Sequence, residues 1–247
     1  MSRPAAIAFR AYLAPMLATR GFKLSVIFGF VYIGLAGLAM VLGEIAPGMF
    51  AGALESIRLS LIVPGIPVAA ILFGEMPLRD GIRQRTLLYQ LLGPAPRPVL
   101  AAVRTLMTAG LLAAGACALM LATRILGGAG LENYGREILA MVLGAFAYTG
   151  VFGLIHVANR RGLIGGLAFF FVLDQPLGQI PFALRRLSPS YHLSVLADRV
   201  IDIHLPVSVT PPEPSMIVSS LALVAIGIVT TAATAILFTR KQLGELC

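Results

Sequence analysis

The sequence predicts an all-α integral membrane protein with six transmembrane helices. Its 247 residues are 58% hydrophobic and only 12% charged, about half the charged share of an average soluble domain. Four stretches, uncharged or carrying one histidine, reach the roughly 20 apolar residues that cross a hydrocarbon core, and two more come close. The Lys and Arg residues behind the net charge of +8 lie in short clusters between these stretches. Scattered clusters of that kind mark membrane topology, not a nucleic-acid surface.

Residues 1–23 precede the first span and place Arg3, Arg10, Arg20 and Lys23 along an apolar background. This is the pattern of an amphipathic helix lying in the interface with its cations at the headgroups. It does not fit a cleavable signal, because the apolar run that follows is of full spanning length and lacks a small-residue cleavage site. The spans are expected near 24–43, 55–74, 100–123, 138–158, 162–181 and 216–239. The second begins with Glu55 and Arg58, three apart on one helix face, where each offsets the burial of the other as an intramembrane pair. The fifth contains Asp174, Pro176, Gly178 and Pro181, so a helix of about three turns is expected to end in irregular chain. Gly144, Gly150, Gly153, Gly165 and Gly166 permit close helix approach, with Tyr148 and His156 as packing residues. Residues 182–215 mix aliphatic and charged residues at helical spacing before a Pro-rich run, which reads as an outer-side amphipathic or re-entrant segment.

Counting Lys and Arg sets the orientation. With the N-terminus inside, 13 of the 19 fall on the cytoplasmic side and five outside, with Arg58 inside a span; both termini are expected in the cytoplasm. The longest charged interruption, Glu75–Arg104, then lies in the cytoplasm between spans two and three. Within it, Pro77 and Gly81 break the descending helix, Thr86–Leu92 is short and apolar-sided, and Gly93, Pro94, Pro96 and Pro98 stop it. A short helix between breakers, flanked by Arg79, Asp80, Arg83 and Arg85, suits docking on another protein; it equally suits an interfacial loop helix anchoring two spans.

With six spans, an amphipathic N-terminal helix, Glu75 closing span two, and Leu91–Leu92 followed by Pro94 to Arg97, the chain resembles the ABC-2 family of ATP-binding cassette transporter permeases. Leu187–Val200, with Ser188–Pro189 before Tyr191, is a second matching patch. The family's Gly-Thr pair before the Leu-Leu helix is replaced here by Arg85 and Thr86, with Gly81 upstream. The resemblance implies a coupling region at 75–99 that docks on a separate ATPase subunit through Glu75, Arg79, Asp80, Arg83, Arg85, Thr86, Gln90, Leu91, Leu92, Pro94 and Arg97. It also implies a second permease copy, identical or related, and export driven by ATP and Mg bound on the partner. The location implied is the cytoplasmic membrane of a bacterium or archaeon.

The residues themselves agree that this chain binds no nucleotide: neither Lys23 nor Lys241 ends a Gly-rich phosphate loop. No H-E-x-x-H or G-x-S-x-G occurs either, so no catalytic residues and no cofactor are assigned. Asp198, Asp202 and His204 form a minor metal hypothesis, outweighed by a solvated helix face; Cys117 and Cys247 have no framework spacing. Asp174, with Tyr191 and His192, is a candidate for the transport path or its gate, because an ionisable group in a span marks function by default. The structural alternative pairs Asp174 with Arg185 or Arg186. Few aromatics and no ionisable lining leave an amphipathic, lipid-like or drug cargo as a weak preference, and an ATP-independent carrier or scaffold as the competing class.

Overall fold

The structure, a computed structural model, describes residues 17, 20–46, 52–74, 78, 96–126, 134–159, 161–180, 183–198 and 214–240. All regular elements among them are helical. In chain order they are α1 (Arg20–Ile45), α2 (Ala53–Ser60) and α3 (Ile66–Phe73), α4 (Arg97–Leu126), α5 (Tyr134–Ala158), α6 (Gly162–Ala168) and α7 (Gln175–Gln179), α8 (Pro189–Leu196) and α9 (Met216–Arg240). A π-helical stretch, Leu61–Gly65, joins α2 to α3, a second, Phe169–Asp174, joins α6 to α7, and a 3₁₀ turn, Ala183–Leu187, precedes α8.

Among the described residues five helices are long and apolar enough to cross a membrane: Phe22–Ile45, Glu55–Phe73, Arg97–Leu126, Tyr134–Ala158 and Met216–Arg240. The expected fifth span is not among them. Its helix runs unbroken from Gly162 to Gln179, but the polar group Asp174, Gln175 and Gln179 dilutes its far end. The expected irregular stretch after three turns is absent as well. Proline lacks the amide hydrogen and crowds the carbonyl four residues back, and here a wider turn absorbs the conflict: the Gln175 amide bonds the Phe170 carbonyl, five residues earlier. The Leu61–Gly65 stretch, which contains Pro64 and is followed by Pro67, does the same with the Ile66 amide and the Leu61 carbonyl. Residues 1–16, where most of the interfacial helix was expected, lie outside the described residues. The third span starts at Arg97, a turn earlier than the sequence indicated, with Pro98 in its first turn, where a missing amide hydrogen costs nothing.

α5 forms the centre of the bundle. Of its most apolar window 61% is buried inside the protein, against 17% for α1, and its most extensive packing is with α9. The reason lies in small residues. A Cβ on Gly150 would overlap the Thr230 hydroxyl and lie 3.2 Å from the Gly227 carbonyl, and a Cβ on Gly227 would overlap the Phe146 ring. Thr230 cannot yield freely, because its hydroxyl donates to the Ile226 carbonyl at 2.7 Å. At one end of the bundle His156 is wedged between Gly74, whose Cβ would lie 2.8 Å from the imidazole, and Gly162, whose Cβ would overlap it. A carbonyl only accepts, so His156 Nδ1 carries the hydrogen given to the Phe152 carbonyl at 2.7 Å.

Gly150→Leu should therefore destabilise the bundle by about 1–3 kcal/mol through overpacking. Gly110→Ala, on a face of α4 with nothing within 4 Å, should be near neutral. Reversible unfolding in mixed detergent, followed by helical circular dichroism, distinguishes the two; equal effects would contradict the close approach.

Candidate functional site

The site is built where the α6–α7 helix meets α5 and α8. Asp174 closes the π-helical stretch and is 1% exposed. A buried carboxylate needs hydrogen-bond donors in place of water, and two elements supply them. From α5, Tyr148 Oη donates to Oδ2 at 2.5 Å. From the start of α8, Ser188 Oγ donates to Oδ1 at 2.6 Å and the Ser190 amide donates to Oδ1 at 3.3 Å. Ser190 Oγ also reaches the Asp174 carbonyl at 3.2 Å and Ser188 Oγ at 2.8 Å.

Local sequence explains why Ser188 is there. It is the N-cap of α8: its backbone is extended, Pro189 occupies the first helical position, and its Oγ accepts from the Tyr191 amide at 3.3 Å. One hydroxyl thus caps α8 and grips Asp174. The expected pairing of Asp174 with Arg185 or Arg186 does not occur; among the described residues Asp174 makes no ion pair. Arg185 instead lies over the Tyr191 ring, 4.6 Å from its centroid, an arrangement favoured when a cation is withdrawn from water.

Tyr191 and His192, read from sequence beside Asp174, are both buried on α8. His192 Nε2 donates to the Arg186 carbonyl at 2.8 Å, and Nδ1 lies 3.3 Å from Ser219 Oγ on α9. Burial pushes the His192 imidazole below the ordinary 6.5, the Arg186 charge pushes the same way, and the bond to the Arg186 carbonyl opposes them. The neutral ring fits both contacts, Nε2 as donor and Nδ1 as acceptor of the Ser219 hydroxyl. Two residues past α8 lies Asp198, the one non-glycine with positive φ among the described residues, whose carboxylate pairs with Arg136 at 3.3 Å on the surface.

A second charged group ties α2, α4 and α5 together. Arg124 of α4 meets Glu137 of α5 through two bonds of 2.8 Å, and its guanidinium sits 5.5 Å from the Tyr134 ring centroid. Arg58 and Glu55 form an ion pair on α2, within electrostatic range of Arg124 and Glu137. The Arg124 and Glu137 side chains are only 5% and 12% exposed.

Of the coupling residues, Glu75, Arg79, Asp80, Arg83, Arg85, Thr86, Gln90, Leu91, Leu92 and Pro94 lie outside the described residues, as do Asp202 and His204. Arg97 is exposed in the first turn of α4. Leu78 is buried and shares an apolar cluster with Leu100, Ala101, Val157, Ala235 and Phe238, at the ends of α4, α5 and α9. Sequence reasoning found Asp174 but missed three of its partners. Ser188–Pro189 was a legible N-cap signal; Tyr148, 26 residues upstream and read as packing, gave no sign of its partner.

Comparison of the chain with protein-family models, with curated proteins and with solved structures finds no match.

Two outcomes follow from this geometry. Arg124→Leu strands Glu137 in a nearly dry site and should cost about 3 kcal/mol, whereas Arg136→Leu should cost under about 1 kcal/mol because its pair is exposed; denaturant titration of both variants checks this. For His192, the depressed folded value means that its contribution is complete above pH 6.5. It is lost as pH falls below that point, because the unfolded segment takes up a proton that the folded one resists. Melting temperatures measured from about pH 7.5 down to about pH 5 should fall less steeply in His192→Gln.

Proposed function

We propose that this chain is the membrane-spanning permease subunit of an ABC-2 type ATP-binding cassette transporter. It works as a dimer with two ATPase subunits and exports its substrate by alternating access. The observation that carries the reading is the interrupted, charged segment from Glu75 to Arg104, set between two apolar helices in a chain with no phosphate loop. Energy has to arrive from elsewhere, and this segment is the natural place to receive it. Leu78 supports the same reading, since its burial against α4, α5 and α9 links the segment to three spanning helices.

In this reading the Gly162–Gln179 helix is the fifth of six spans, the termini lie in the cytoplasm, and α8 with its 3₁₀ turn covers the outer end of the path. Asp174, Tyr191 and His192 belong to the gate at that end. A groove of about 470 Å³ between α1, the Leu61–Phe73 region and α4, walled by residues such as Phe22, Phe28, Ile66, Phe73 and Leu112, favours a lipid-like or amphipathic cargo. ATP and Mg are held by the partner in a bacterial or archaeal cytoplasmic membrane.

One observation favours a second reading. A carboxylate as deeply buried as Asp174 is what a proton-coupled carrier uses, which would make the chain ATP-independent. Reversing charge at Arg83 and Arg85 separates the two. Under the permease reading, Arg83→Glu with Arg85→Glu abolishes copurification of the partner ATPase, or uncouples its hydrolysis. Unchanged coupling, or transport in proteoliposomes driven by a proton gradient without ATP, rejects the permease reading.

A further inference from the structure

The contacts of Asp174 give it a role beyond its place in the gate. Its carboxylate joins three elements at one point: the end of the Phe169–Asp174 stretch, Tyr148 on α5, and the first turn of α8. The last contact is with the backbone. The Ser190 amide is one of the donors a helix start leaves without an internal partner, and Asp174 satisfies it, while Ser188 satisfies the Tyr191 amide. The order of α8 is thus tied to the charge state of one side chain on another helix.

A cavity of about 40 Å³ lies beside this cluster, lined by Val63, Gln175, Gly178, Gln179, Ser190, Tyr191 and Ser194. A single water needs roughly 10–15 Å³, and the Gln175, Gln179, Ser190 and Ser194 side chains offer it polar partners. The cavity sits between the two π-helical stretches: Val63 belongs to the first, and Gln175 follows the second. Ser190 stands on its wall and also bonds the Asp174 carbonyl. A water in the cavity would reach the Asp174 carboxylate through two hydroxyls, Ser190 Oγ and then Ser188 Oγ.

We propose that Asp174 is a proton-binding latch, loaded through this cavity, whose protonation loosens α8 from the α6–α7 helix. A proton on Oδ2 turns that oxygen from acceptor to donor, so Tyr148 must turn its own hydrogen away. The loss of charge weakens the Ser188 and Ser190 bonds, since bonds to an ionised group are about twice as strong as neutral ones. The other titratable or charged groups nearby are Tyr148 from α5, Tyr191 and His192 from α8, and Arg185 and Arg186 from the 3₁₀ turn. The Leu61–Gly65 stretch carries none. His192 is turned to the Arg186 carbonyl and Ser219, so its titration is separable from that of Asp174. The latch holds whichever energy source the chain uses.

The test is hydrogen–deuterium exchange of the intact protein in lipid nanodiscs from about pH 8 to about pH 4, corrected for intrinsic exchange. In the wild type, protection over 188–196 should fall about tenfold across one transition, the loss expected when charge-assisted bonds become neutral. Asp174→Asn keeps the shape but holds no proton, so its protection should not vary with pH. Tyr148→Phe removes a donor that touches the carboxylate but no amide of α8, and should move the midpoint. His192→Gln should keep the transition. A wild type without a transition, a transition surviving in Asp174→Asn, an unmoved midpoint in Tyr148→Phe, or its loss in His192→Gln each overturns the proposal. If Asp174→Asn does not insert, the wild type and the other two variants decide it.

Discussion

The close approach of α5 and α9 at Gly150 and Gly227 positions everything else in the bundle. Lipid tails are as apolar as leucine, so side-chain burial alone gives membrane helices little reason to associate; contact between backbones, with good van der Waals packing, has to supply it. Once α5 is fixed on α9, its remaining faces define where α3, α4, α6 and α8 lie. Tyr148 and Thr149, side by side on the central helix, are both fully buried. That is the setting in which Tyr148 meets a carboxylate, because no water is at hand to compete for its hydroxyl.

Most polar groups inside the bundle find a partner within the protein, although among the described residues the Thr149 and Thr231 hydroxyls have no hydrogen-bond partner. Thr105, Thr108 and Thr123 return their hydroxyls to carbonyls of their own helix. Tyr32 donates to the Ile57 carbonyl, tying the loosely packed α1 to α2. Arg124 and Glu137 neutralise each other, and Asp174 draws on three donors from two elements. The prolines are accommodated in a similar way: two wide turns keep Pro64 and Pro176 inside helices by giving the Ile66 and Gln175 amides carbonyls five residues back. Wide turns of this kind occur often at functional sites, and here the pair flanks the cavity beside Asp174.

Sequence and structure diverge most in the Gly162–Gln179 helix. Asp174, Pro176 and Gly178 together read as the end of regular structure, a sound inference from local propensity. It failed because a five-residue backbone bond, which leaves no pattern in the sequence, carries the helix past the proline. The pairing of Asp174 failed for a related reason. Arg185 and Arg186 are close in sequence and of opposite charge, but Arg185 is drawn onto the Tyr191 ring while hydroxyls reach the carboxylate. The glycine-mediated packing of α5 was readable, since small residues in an apolar helix have few other uses.

By itself, the amino-acid sequence determined that this chain is helical and built for a membrane, because apolar length and charge distribution are local properties that survive without a fold. It also singled out Asp174 as a residue needing an explanation. Only the tertiary structure decided what holds Asp174. Its partners come from positions 148, 188 and 190, and no periodicity links residues that are adjacent only because three helices pack around one point. A buried carboxylate takes whichever donors that packing brings within reach, and here they are Tyr148, Ser188 and the Ser190 amide.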